Sequence, residues 1–90
     1  EYMGQRGAAL ANYETAQRIA EALIARRPGD VQAKTLLASI YESASTTTRR
    51  TGDYAKAGVG YQKAIDILQP IVAANPEDRE MQRRLAGAYG

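Results

Sequence analysis

Apolar side chains recur at three- and four-residue spacings through most of the chain, and turn residues interrupt them. Ala9, Tyr13, Ala16, Ala20, Leu23 and Ile24 keep helical spacing and predict a helix over residues 5–26. Arg26 and Arg27 stand at its C-terminal end, where the helix dipole favours cations, and Pro28-Gly29 stops it. Asp30 is an N-cap residue ahead of a second helix, 31–44, with Ala33, Leu36, Leu37, Ile40, Tyr41 and Ala44 as its stripe. Residues 45–52 break the pattern, since hydroxyl-bearing β-branched residues followed by Gly predict a loop. Asp53 caps a third helix, 54–74, with Ala57, Tyr61, Ala64, Ile65, Leu68, Ile71 and Val72 along one side. Asn75-Pro76 predicts the N-cap and first helical residue of a fourth helix, 76–89, carrying Met81, Leu85, Ala88 and Tyr89. Pro70 predicts a kink or a break near Asp66. Gly58 and Gly60, each costing a helix about 1 kcal/mol against Ala, predict the close approach of a neighbouring helix.

The pattern repeats. Sliding the chain by 48 positions aligns residues 1–42 with 49–90 and pairs Gly4/Gly52, Ala9/Ala57, Tyr13/Tyr61, Ala16/Ala64, Ile19/Ile67, Ala25/Ala73, Pro28/Pro76, Asp30/Asp78, Leu37/Leu85, Ala38/Ala86 and Tyr41/Tyr89. Those 11 identities in 42 positions compare with about three or four expected by chance. Turn residues meet turn residues, which two unrelated Ala-rich helices would not produce.

Composition sharpens this picture. Phe and Trp are absent and six Tyr supply all the aromatic bulk, so the core material suits helices in close contact better than a β-sandwich. Ninety residues make one small domain with a modest core. The chain opens Glu-Tyr-Met and stops within a helical pattern, which reads as an excerpt of a longer protein. Twelve basic and ten acidic residues are interspersed, for a net charge of +2. No basic block favours nucleic acid as a partner, and no run of about 18 apolar residues favours a membrane.

Catalytic chemistry finds little support. With neither His nor Cys, zinc, thiol and imidazole chemistry are unavailable, and no Ser-Lys or paired-carboxylate arrangement stands out. Asp30, Asp53 and Asp78 are explained by helix starts, and Glu14/Arg18 and Lys63/Asp66 have the spacing of ordinary helix pairs. The expectation is a non-enzyme without cofactor or metal.

At this point the residues resemble the tetratricopeptide repeat. Leu37-Ala38 followed by Tyr41 looks like that family's Leu-Gly-x-x-Tyr signature on the first helix of a repeat. Gly52-Asp53-Tyr54, Ala57, Tyr61 and Ala64 look like the signature of the second helix, and Pro28 stands where the family ends a repeat. The resemblance spans nearly the whole chain as half a repeat, one complete repeat and another half. Its implied fold is all-α, with antiparallel helix pairs in a right-handed superhelical array forming a single domain over residues 1–90. The period departs from the family's usual length of about 34: seven residues (45–51) fall between the paired helices, and another seven lengthen the second helix. Long repeats of this kind look similar to those beside bacterial signalling modules, including serine/threonine kinases.

What the resemblance implies for function is a protein–protein interaction scaffold. In the family the first helices line an inner, partner-binding surface. Here that surface would present Gln32, Thr35, Ser39, Glu42 and Ser43 from the second helix, with Glu80, Arg83 and Gly87 from the fourth. The carboxylate clamp of chaperone-binding members is not matched, because Thr35, Ser39 and Glu80 occupy its positions. The partner expectation is a protein or peptide. A homo-oligomer through exposed half-repeat ends is the alternative, and a regulatory repeat region beside a signalling enzyme is another.

Overall fold

A computed structural model describes the backbone of residues 2–89 and the side-chain surroundings of residues 10–89. The chain is all-α over that span, as α1 (Tyr2–Arg26), α2 (Val31–Arg50), α3 (Tyr54–Ala74) and α4 (Arg79–Tyr89). Ala9, placed on the apolar stripe by its spacing, lies outside the described side chains. Helices pack on their chain neighbours, α1 on α2, α2 on α3 and α3 on α4, and no main interface joins α1 to α4 among the described residues. The body measures 43 × 29 × 18 Å.

The 48-residue offset governs this packing closely. The break between α1 and α2 and the break between α3 and α4 lie 48 positions apart at both edges. Asp30 caps α2 by accepting from Ala33 N–H, and Asp78 does the same for Met81 N–H. The cap of α4 is therefore Asp78, and Pro76 lies in the turn before a helix that starts at Arg79, not at 76. Asp78 takes this role because Pro76 and Glu77 complete the same turn that Pro28-Gly29 makes.

The two core clusters are also repeat equivalents. In one, Ala20, Leu37 and Ile40 pack with Tyr13, Ala16 and Ile24. In the other, Leu68, Ala64 and Ala88 pack with Leu85, joined by Ala38 and Ile65. Position by position the sizes are exchanged: Ala20 and Ile40 in the first correspond to Leu68 and Ala88 in the second. A large residue on one helix faces a small one on its neighbour in both, which fills similar volumes from either side.

The loop predicted over residues 45–52 is mostly helix, because α2 runs on to Arg50. Two things outweigh the poor local propensity of Ser and Thr. Thr46, Thr47 and Thr48 donate their hydroxyls to the carbonyls of Glu42, Ser43 and Ala44, so these side chains are satisfied within the helix. Ser45 and Thr48 are buried, and Thr46 Oγ1 lies 2.8 Å from the Tyr61 hydroxyl on α3. Most of residues 45–51 thus lengthens a helix, leaving α2 with 20 residues and α3 with 21. The chain reverses over residues 51–53, where Gly52 takes φ 92, a left-handed value that suits Gly just past a helix end.

Pro70 neither breaks nor ends α3, which is continuous from Tyr54 to Ala74. Of the two α3 glycines, only Gly60 is held by a close neighbour. A Cβ there would lie 1.9 Å from Ser45 Oγ and 3.2 Å from Ser45 Cβ, whereas a Cβ on Gly58 would meet nothing within 4 Å. The two substitutions should therefore differ in sign. Gly58→Ala is expected to stabilise by about 0.5–1 kcal/mol through helix propensity. Gly60→Ala is expected to destabilise by about 1–2 kcal/mol net through overpacking, with part of the loss restored by adding Ser45→Ala. Urea unfolding of the three variants measures this, and equal midpoints for both single variants would contradict the packing.

Candidate functional site

The seven polar residues expected on the inner face separate into two groups. Gln32, Ser43, Glu80 and Arg83 are exposed. Thr35, Ser39 and Glu42 are half-buried, turned toward the seam with α4. Thr35 Oγ1 donates to Val31 O at 2.8 Å and lies 3.9 Å from Met81 Sδ. Ser39 Oγ donates to Thr35 O and accepts from Arg84 Nη1 at 3.2 Å. Burial pushes the Glu42 carboxyl above its ordinary value, and the Arg84 guanidinium pulls it partly back.

Arg84, not Arg83, is the cation that reaches across. It also pairs with Glu80 Oε1 at 3.4 Å, the one ion pair among the described residues, while its Nε is buried without a partner. The signal for Arg84 was present in the sequence, since it lies three residues from Met81 and four from Ala88 and so borders the apolar stripe. Neither expected helix pair forms an ion pair. Asp66 accepts from Gln62 Nε2, and Lys63 Nζ stands 5.4 Å from the centroid of the Tyr41 ring. Burial, and then the Glu21 carboxylate, push the Tyr41 hydroxyl upward.

Glu42 also belongs to a groove of about 670 Å³ between α2 and α3. Glu42, Thr46 and Arg49 form its α2 wall, Tyr54, Ala57, Gly58 and Tyr61 line its α3 side, and Gly87 to Tyr89 close one end. Antiparallel pairing brings the end of α4 level with Ala64, whose cluster includes Ala88, so the first half of α3 has no α4 beside it. Tyr54 and Tyr89 are 71% and 62% exposed at the rim, although Tyr89 falls on the apolar stripe of the fourth helix and Tyr54 lies three residues before Ala57. Tyr13, Tyr41 and Tyr61 are half-buried. Sequence reasoning missed the groove because it depends on how far three helices overlap, which spacing along one helix does not encode.

No family model, curated protein or solved structure matches this chain. The candidate site accordingly stands on its own geometry. Among the described residues no group of three or more His, Cys, Asp or Glu side chains is placed to hold a metal ion. No helix of this chain is long and apolar enough to cross a membrane, among the same residues. The groove offers two flanking charges, an aromatic rim and a floor with a bare Gly58 backbone.

Proposed function

We propose that this chain is a protein–protein interaction scaffold segment of a tetratricopeptide-like helical array, and that its groove receives an amphipathic helix of a partner protein. The single observation that supports the reading is the groove between α2 and α3, with Glu42, Thr46 and Arg49 on one wall and Tyr54, Gly58 and Tyr61 on the other. The groove runs between two helices, and a helix is the element whose shape suits it. Gly58, with nothing within 4 Å of its Cβ position, permits a partner helix to approach the α3 backbone closely. Packing of each helix on its chain neighbours, and the equivalence of the two core clusters, support an array in preference to a closed four-helix bundle.

Site-specific photocrosslinking tests this in the protein as it is made in its own cells. A photoreactive phenylalanine analogue at Tyr54, in the groove, is expected to form adducts with a helical segment of another protein. The same probe at Glu77, in the turn before α4, should form none. Adding Gly58→Arg, which fills the groove, should abolish the Tyr54 adducts. Equal adduct yields from both positions, or adducts that survive Gly58→Arg, would remove the groove as the site.

A further inference from the structure

A second cavity, of about 170 Å³, lies on the seam between α2 and α3 and shares no lining residue with the groove. Tyr41, Ser45 and Thr48 face it from α2, and Lys56, Gly60 and Lys63 from α3. Each trio keeps spacings of four and three, so one face of each helix meets the cavity. Lys56 and Lys63 are thereby set about 10 Å apart along α3, with Gly60 between them. Ser45 is buried, at 4% exposure, and its Oγ takes the space a Gly60 Cβ would fill. Thr46, Thr47 and Thr48 donate their hydroxyls to carbonyls four residues back. The Ser45 hydroxyl has no hydrogen-bond partner among the described residues and opens on the cavity. A buried hydroxyl left in that state is costly, and a ligand oxygen in the cavity would satisfy it.

The cations beside it are uncommitted. Among the described residues neither Lys56 nor Lys63 forms an ion pair, and the Tyr41 ring holds Lys63 Nζ over the seam at 5.4 Å from its centroid. We propose that this cavity binds the phosphate group of a phosphate monoester, with Lys56 and Lys63 flanking it and the Ser45 hydroxyl donating to one of its oxygens. Two ammonium groups match the double charge of that group, where a carboxylate or a phosphate diester carries only one. At about 30 Å³ per water, the cavity has the volume of about five waters, room for one such group and its hydration. Thr48 has its proton committed to Ala44 O, so Ser45 is the hydroxyl donor. The opposing charge is Glu21, whose carboxylate acts on the Tyr41 hydroxyl and weakens the site. This inference depends neither on the groove nor on the repeat reading.

Titration of the chain at low salt, followed by amide chemical shifts in NMR, tests it. Inorganic phosphate and O-phosphoserine, both mostly dianionic at about pH 7.5, are expected to shift the amides of Ser45 and Gly60 with a Kd of about 1 mM. Tighter binding of O-phosphoserine supports a phosphorylated side chain as the source of the group, and the reverse order supports the free anion. Acetate and dimethyl phosphate, with one charge each, should bind about ten-fold more weakly. Lys56→Gln and Lys63→Gln should each weaken phosphate binding about five-fold, and Glu21→Gln should strengthen it. Ser45→Ala, which leaves the net charge unchanged, should weaken it about five-fold through the lost donor, and helical circular dichroism checks that every variant folds. Shifts spread over the basic residues without centring on Ser45 and Gly60 would overturn the site. So would acetate bound as tightly as phosphate, or phosphate binding that Ser45→Ala and Lys63→Gln leave unchanged.

Discussion

Leu68→Ala is expected to cost about 2–5 kcal/mol, the range for removing a buried Leu from a core that relaxes incompletely. Leu68 is 1% exposed and is the largest side chain buried so completely. It sits in the cluster where α2, α3 and α4 meet through Ala38, Ala64 and Ala88. Three of its four buried neighbours there are Ala, whose side chains are too short to move in and fill the space. For a domain of this size each kcal/mol shifts the melting temperature by about 4–8 °C, so a fall of at least about 8 °C is expected by calorimetry. The first repeat indicates a specific rescue, because it solves the same position with Ala20 and Ile40. Ala88→Ile alone should overpack and cost about 1–3 kcal/mol, yet in the Leu68→Ala background it should recover part of the loss. A double-mutant cycle reads the coupling directly. Additive losses would mean that the two clusters are not equivalent solutions of one packing problem.

Pro70→Ala is expected to act in the opposite direction, raising stability by about 1–3 kcal/mol. A proline inside a helix lacks the N–H that would bond the carbonyl four residues earlier, and its ring crowds that carbonyl. Here the carbonyl belongs to Asp66, and both Asp66 and Pro70 are exposed, so water satisfies the orphaned acceptor and α3 continues. The substitution adds one hydrogen bond and removes a steric conflict without touching the buried side of α3, made by Ala64, Ile65, Leu68 and Ile71. Urea midpoints and helical ellipticity measured together check this. A lower midpoint for Pro70→Ala would mean that Pro70 sets the course α3 needs to meet its neighbours.

The resilience of α3 illustrates how far local signals were readable. Pro70 was a reason to expect a kink or a break near Asp66, and of the two the break does not occur, because the proline falls on the solvent side and the helix continues. The Ser-Thr run after Ala44 carried no apolar periodicity, so nothing local marked it as helix. Ser45 and Thr48 are buried because Gly60 leaves room on α3, and that pairing joins residues fifteen apart. The N-cap of α4 was readable from the repeat, since Asp30 and Asp78 align, but the Asn75-Pro76 pair is the stronger local motif and pointed elsewhere.

The site was less legible than the fold. Thr35, Ser39 and Glu42 share one helical face, as their spacing indicates. Whether such a face meets solvent or another helix depends on where α4 lies, and Arg84 reaching Ser39 engages it. Tyr54 and Tyr89 have core-like spacing, yet no helix among the described residues covers them, and their exposure gives the groove its aromatic rim.

By itself the sequence determined four things: the helical class, the positions of the turns, the residues that stop and cap most of the helices, and the offset of 48 that relates one half to the other. These are set by backbone chemistry and by periodicity within a single helix, both of which act over a few residues. Only the tertiary structure decided the length of α2, the separate roles of Gly58 and Gly60, the engagement of Arg84 and the shape of the groove. Each of those follows from side chains brought together across helices, where burial and steric fit outweigh local propensities worth less than about 1 kcal/mol per residue.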